Sequence, residues 1–227
     1  MAQNKTSEKI DMKYPERIKV PYILSQNAPQ GEDNSDQYPE SLPLYFIENF
    51  STKGAHVFDP FMGFGTTAFA CEKLGRIPYG IEADGERFEW SAGQLEHWKN
   101  IANGDAAEAN EYGFPPMDLC ITSPPFMPKN EDWNPLYGGD PEFSGYDLYL
   151  ARMGFIFEQI AQVMKPDGLV VVHVDDVQGE VFTPLIADIK QMLSQSMNFE
   201  AKIRIDWNKN APRHYPKTQC LVFKKLP

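Results

Sequence analysis

At 227 residues the chain is long enough for one α/β domain around a single core, with little left for a second. Apolar residues make up 42% and charged residues 23%, and no apolar run reaches the length of a membrane span. The net charge of −11 argues against a broadly basic nucleic-acid surface, and three scattered cysteines with no CxxC pair argue against a disulfide frame or a structural metal.

Charge is unevenly spread. From Ala201 to Pro227 there are seven Lys or Arg and one acid, a local balance of +6 that leaves −17 for the remainder. Such a face either meets a phosphate backbone or merely solvates a hairpin. Met1 to Asp11 is polar and lacks the apolar core of a secretory signal, so the expected location is the cytoplasm.

Residues 1–35 carry Pro15, Pro21 and Pro29 and the run Gly31-Glu32-Asp33, and read as an irregular arm ahead of a domain over 36–227. A helix with Ser41 as N-cap follows, with Leu44, Phe46, Ile47 and Phe50 on its apolar face. A βα alternation then begins. Strands are expected at His56–Asp59, Arg76–Glu82, Asp118–Thr122 and Leu169–Val174, and helices at Thr66–Leu74, Glu86–Lys99, Leu148–Met164 and Thr183–Met197. Met127 to Tyr146 reads as a long acidic loop, with five acids and one lysine from Met127 to Asp147. Phe199–Trp207 and Gln219–Lys224 close the chain as paired strands around a loop holding Pro212 and Pro216. This order predicts a doubly wound, mostly parallel sheet with an antiparallel C-terminal hairpin.

Two segments carry chemistry. In Asp59-Pro60-Phe61-Met62-Gly63-Phe64-Gly65-Thr66-Thr67, a strand turns through glycines into a helix N-terminus. The glycines allow a tight turn and close approach of a ligand, and the helix end favours an anionic group such as a carboxylate. Glu82, followed by Ala83, ends the next strand 23 positions after Asp59, where a ribose diol is held in dinucleotide sites. Asp105 falls beyond the following strand, in reach of an adenine amino group, so the set describes a nucleoside-containing ligand. No P-loop lysine is present, which disfavours a nucleoside triphosphate.

The second segment is Thr122-Ser123-Pro124-Pro125-Phe126. Two prolines after a buried strand fix the backbone and remove two N–H donors, so the chain leaves the sheet as a rigid extended arm. The Ser123 hydroxyl and the Pro124 carbonyl can both accept from one amino group. An aromatic amine has its lone pair delocalised into the ring, and two acceptors on its protons favour a nitrogen with the lone pair freed. Phe126 can stack on the ring.

Asp59 to Thr67 resembles the cofactor motif Asp-Pro-Phe-x-Gly-x-Gly-Thr-Thr of amino-group DNA methyltransferases. Thr122 to Phe126 resembles their catalytic motif in its Thr-Ser-Pro-Pro-Phe form, Gln37 to Ser51 their preceding helix, and Tyr79-Gly80-Ile81-Glu82 their ribose-binding acid. The resemblance covers about residues 37–225. It implies a Rossmann-like S-adenosylmethionine (SAM)-dependent methyltransferase fold with seven strands, the last antiparallel. It further implies SAM held by Asp59, Pro60, Phe61, Gly63, Gly65, Thr66, Thr67, Glu82, Ala83 and Asp105, and catalysis by Ser123, Pro124, Pro125 and Phe126. DNA is the implied partner, with its target base flipped into the pocket. Serine at the first motif position goes mostly with N4 of cytosine, and Asp or Asn more often with N6 of adenine.

The chain departs from that pattern in three ways. Phe64 replaces a serine, the cofactor motif precedes the catalytic one, and no large target-recognition domain is visible. Transfer to RNA or to a protein glutamine, and a SAM-binding subunit that needs a protein partner, remain open alternatives. His173, at the end of a strong strand, is either a base or a strand-end residue. Trp133 and Tyr137 either stack on a base or pin their loop, and Arg204, Lys209, Arg213 and Lys217 are phosphate-contact candidates.

Overall fold

The computed structural model describes residues 14–25, 37–208, 211 and 218–226. The readings for Pro29, the acidic run after it, Lys209, Pro212, Arg213, Pro216 and Lys217 lie outside the described residues. In chain order the elements are β1 (Arg17–Val20), α1 (Ser41–Phe50), β2 (His56–Asp59), α2 (Thr66–Lys73), β3 (Ile77–Glu82), α3 (Gly85–Ala92), β4 (Ile101–Asn103), β5 (Met117–Thr122), α4 (Tyr146–Val163), β6 (Met164–Val174), α5 (Leu185–Leu193), β7 (Met197–Trp207) and β8 (Gln219–Lys225). Among the described residues no helix is long and apolar enough to cross a membrane.

The β-branched run of β6 is the centre of the sheet because both of its faces find apolar cover. Val170, Val172 and Val174 point toward α4 and α5, whereas Leu169 and Val171 point toward α1 and α2. Strands buried on both sides read as continuous apolar runs, as this one does. The strand order is β1-β7-β8-β6-β5-β2-β3-β4, and β8 alone runs against its neighbours. The doubly wound parallel sheet with a closing antiparallel hairpin is therefore observed.

Among the described residues the sheet has eight strands rather than the expected seven. The extra one is β1, in the segment expected to be irregular, and it pairs parallel with β7, Ile18 opposite Ile205. Its four residues alternate, with Arg17 and Lys19 exposed and Ile18 and Val20 buried. Pro15 and Pro21 flank this alternation and disguise it, yet prolines bounding a short edge strand are compatible with pairing on one side.

Other boundaries moved for local reasons. Ser41 does not cap α1: Glu40 takes that position without a side-chain bond, and the Ser41 hydroxyl donates instead to the Pro21 carbonyl. Helix α3 ends at Ala92, with Gly93 as its C-cap, well short of Lys99, and its start is fixed by the Asp84 carboxylate accepting from the Arg87 amide at 2.9 Å. Helix α5 begins after Pro184, because Thr183 is held by a bridge to Val177 and accepts from the Lys129 amide at 2.7 Å. Strand β6 starts at Met164 rather than at the expected Leu169, so Lys165 to Gly168 belong to it.

If β1 is a packed strand, its two faces differ in energetic weight. Ile18→Ala should lower unfolding stability by about 2–4 kcal/mol as a large-to-small change in a core. Lys19→Ala on the exposed face should change it by less than ~0.5 kcal/mol. Urea unfolding measures both, and equal effects would count against a docked strand.

Candidate active site

Strand β2 delivers Asp59 to the C-terminal edge of the sheet, and the turn after it depends on glycine. Gly63 and Gly65 have φ of +52° and +81°, a region L side chains avoid. Gly65 lies against Phe69 and Met62, where a Cβ would meet atoms at 3.4 and 3.6 Å. From below, β3 closes on the turn: a Cβ at Gly80 would fall 2.6 Å from the Met62 sulfur.

Asp59 is 2% exposed, and its carboxylate joins three elements. It accepts from the Thr67 hydroxyl on α2 at 2.5 Å, the Thr122 hydroxyl on β5 at 2.6 Å and the Phe61 amide at 3.1 Å. Tyr38, just before α1, extends the network. The single Thr67 proton goes to Asp59, so the Tyr38 hydroxyl donates to Thr67. Burial pushes the Asp59 carboxyl up from an ordinary value near 3.8 to about 6, against the pull of its three donors.

Glu82 at the end of β3 binds the turn from the other side. One oxygen accepts from the Gly63 amide at 2.7 Å and the other from the Asp84 amide at 2.9 Å. Burial raises its carboxyl above the usual range, opposed by those two amides. Asp105 accepts from the Ala107 amide at 2.8 Å and pairs with Arg152 of α4. Phe64, in place of a serine, packs edge-on with Trp90 at 5.6 Å, and the Arg87 guanidinium lies over its ring at 5.2 Å.

The Ser-Pro-Pro-Phe arm leaves the end of β5. The Tyr149 hydroxyl donates to the Pro125 carbonyl at 3.0 Å, which ties the arm to α4. The Ser123 hydroxyl lies 3.1 Å from Nδ1 of His173, at the end of β6. His173 is 4% exposed, its ring stacks on Tyr38 at 5.7 Å, and desolvation lowers its pKa to about 4.

These parts share one cavity of about 950 Å³. Of the residues expected around a cofactor, Pro60, Phe61, Gly63, Thr66, Glu82, Ala83 and Asp105 line it. Asp59, Gly65 and Thr67 stand behind that wall and shape it. Ser123, Pro124, Pro125 and Phe126 all line the same space. The sequence reading missed Tyr38 and left His173 undecided, and both line the cavity. A polar residue inside the run Val170 to Val174 is the signal that marks His173; nothing local marks Tyr38. Trp133 and Leu136 reach the cavity from the long loop, Trp133 being 61% exposed. Tyr137 pins that loop, stacked on Phe143 at 4.4 Å beneath the Arg152 guanidinium.

Because Asp59 holds its proton more tightly when folded, the stability linked to that proton is full below pH 3.8 and is lost as pH rises through about 6. Asp59→Asn removes that loss. Relative to the parent, its unfolding free energy should rise by on the order of 3 kcal/mol between about pH 4 and about pH 7. Urea unfolding of both proteins across that range checks this, and a difference that does not vary with pH would contradict it.

Comparison with known proteins identifies the family and the fold. The family described as DNA methylase, of the N6/N4 type, matches residues 2–93 and 117–224. The Type II methyltransferase M.MjaI of Methanocaldococcus jannaschii is 41% identical over 59 residues, 26% of this chain and 20% of that protein. The Type II methyltransferase M2.DpnII of Streptococcus pneumoniae is 38% identical over 64 residues, 26% of this chain and 24% of its own length. The matched stretch is thus about a quarter or less of these curated relatives. Among solved structures, TrmN from Thermus thermophilus superposes with a TM-score of 0.59 at 18% identity, over 83% of this chain and 49% of that one. An S-adenosylmethionine-dependent methyltransferase from Clostridium acetobutylicum does so at 0.54 and 10% identity, over 82% and 90%. The fold is that of SAM-dependent methyltransferases, and the family match spans most of the sequence: the chain belongs to the N6/N4-type DNA methylase family.

Proposed function

We propose that this protein is an enzyme that moves the methyl group of SAM to an exocyclic amino nitrogen of a DNA base, and that the base is cytosine, at N4. The observation that carries this reading is the shared cavity. The glycine turn and the acids Glu82, Asp84 and Asp105 line one part of it, and the Ser-Pro-Pro-Phe arm lines another.

The donor set fits the cofactor. Each Glu82 oxygen accepts one backbone amide, and a carboxylate has about four lone-pair sites, so acceptors remain for a ribose diol. Asp105 likewise keeps acceptor capacity for an amino group. Thr66 opens the N-terminus of α2 onto the cavity, where a carboxylate is favoured. A Cβ at Gly63 would meet nothing within 4 Å, which leaves that stretch of wall open. When bound, SAM supplies a methyl group on a positively charged sulfur.

The chain's own residues orient the acceptor. Ser123 and the carbonyl of Pro124 accept hydrogen bonds from the N–H groups of the amine, and Phe126 lies against the ring, so catalysis rests on positioning and fixed dipoles. A base reaches this depth when flipped out of the duplex. Serine at 123 supports cytosine over adenine through the resemblance. A second reading, transfer to RNA or protein, draws on the charge of −11 and on the acidic loop over the cavity.

Mass spectrometry of nucleosides from DNA incubated with the protein and SAM tests the reading. N4-methylcytosine is the expected product, whereas N6-methyladenine would overturn the choice of base. Label in RNA or protein with none in DNA would overturn the choice of substrate. Ser123→Ala should lower kcat by about 10²-fold or more while SAM affinity by calorimetry stays put. Lys202 and Arg204 lie exposed on β7, whose C-terminal end is at the same edge of the sheet as the cavity. If they meet phosphates, their joint change to Ala should lower the slope of log K against log salt by about 2. An unchanged slope would remove them from the DNA interface.

A further inference from the structure

We infer that His173 is the positioning residue for Ser123: its Nδ1 accepts the Ser123 hydroxyl proton and thereby turns the serine's lone pairs toward the amine. This rests on the reading of Ser123 as an acceptor for an exocyclic amino group.

An amine whose lone pair is delocalised offers only N–H donors to the group that grips it. A serine hydroxyl serves as an acceptor there when its own proton is directed elsewhere. The partner found for the Ser123 oxygen is Nδ1 of His173, at 3.1 Å. A neutral imidazole has one donor nitrogen and one acceptor nitrogen. With the proton on Nε2, Nδ1 takes the serine proton and both serine lone pairs remain for the cavity. With the proton on Nδ1, the ring would occupy a serine lone pair, and the serine proton would be left to point at a donor.

The surroundings keep the ring neutral and still. His173 is 4% exposed, and burial holds its pKa near 4, so it is uncharged at neutral pH. Strand β6 fixes its backbone against β8, with His173 opposite Cys220. On the ring face, Tyr38 stacks at 5.7 Å and 23° between planes, itself anchored through Thr67 to Asp59.

The second ring nitrogen indicates that packing alone does not explain this residue. Nε2 is buried and has no hydrogen-bond partner among the described residues. A buried polar atom left unmet is destabilising, and an apolar side chain between Val172 and Val174 would avoid it. A histidine kept for structure would be a poor choice there. One kept to receive the serine proton through Nδ1 has a use that an apolar residue cannot supply.

The test combines a spectroscopic and a kinetic readout. Nitrogen-15 shifts of the His173 ring in the free, histidine-labelled protein should show the Nε2–H tautomer. They should also show a Nδ1 shift that moves toward the unbonded value in Ser123→Ala. His173→Phe keeps a stacked ring without the acceptor and should lower kcat by about tenfold or more with KM and SAM affinity little changed. His173→Asn, whose Oδ1 stands near the place of Nδ1, should recover much of that loss. On a Ser123→Ala background, His173→Phe should cost nothing further, because the pair acts as one unit.

An Nδ1–H tautomer would overturn the inference, as would an equal loss from His173→Phe with and without Ser123, or unchanged kcat in that variant. The tautomer is read without substrate, so it fails separately from the assignment of DNA methylation. If the Phe variant does not fold, the ring shifts and the Asn variant still decide.

Discussion

A carboxylate shut away from water has to find its hydrogen bonds in the protein, and Asp59 finds them on three different elements. The bond to Thr67 holds the start of α2, the bond to Phe61 holds the turn, and the bond to Thr122 holds the last residue of β5. Backbone pairing between β2 and β5 is short: Val57 pairs with Leu119 and Phe58 with Cys120. The Asp59–Thr122 bond continues that junction to the sheet edge, where the chain leaves as the Ser-Pro-Pro-Phe arm. The glycine turn and the arm therefore keep a fixed relation through one side chain. Burial raises the pKa of this group to about 6, so the arrangement carries an electrostatic cost that only well-placed donors offset.

Directionality propagates from the same point. Because Thr67 gives its proton to Asp59, it can only accept from Tyr38, and this sets where the Tyr38 hydroxyl sits. The Tyr38 ring then lies against His173, whose Nδ1 meets Ser123. A path of assigned donors and ring contacts thus runs from the end of β2 through the segment before α1 to the end of β6, and returns beside the arm. Residues far apart in sequence are fixed by a few short contacts.

How much of this is legible in the sequence depends on whether the signal is local. The βα alternation and the two motifs are local, since a strand, a glycine turn and a helix start occupy adjacent positions. The pairing of strands 17–20 and 197–207 joins segments far apart in sequence, and four alternating residues between prolines are too few to announce it. Asp59 stands out in sequence as the strand end that enters a glycine turn, yet its burial depends on Thr122 and Thr67 closing over it, which one segment cannot reveal. The early end of α3 is written in Gly93, whereas the delayed start of α5 comes from Thr183 being claimed by Val177 and Lys129. Tyr38 is silent in sequence because its role exists only where α1, α2 and β6 converge.

Charge and shape divide the work at the cavity mouth. Glu131, Asp132, Asp140 and Glu142 are exposed on the long loop, so it repels a phosphate backbone. The exposed cations Lys202 and Arg204 sit on β7, beyond β8 from the strand that carries His173. An anionic polymer approaching this molecule is thus turned toward the β7 side and held off the loop. Toward the cavity the loop presents only uncharged residues, Trp133, Pro135, Leu136 and Gly138. Trp133 lies against Gly139, where any Cβ would collide with its indole ring, and it stays 61% exposed beside the cavity. Asn134, fully buried, donates to the Phe143 carbonyl at 2.9 Å and accepts from the Leu136 amide at 3.1 Å, so the tryptophan stands on a braced turn. A flat apolar ring held at the rim of an acidic loop suits a base already withdrawn from its backbone, because stacking needs a ring face and no phosphate. On the proposed reading, the acidic loop is therefore compatible with a base in the cavity, provided the duplex stays on the basic side and only an extruded base crosses to the other.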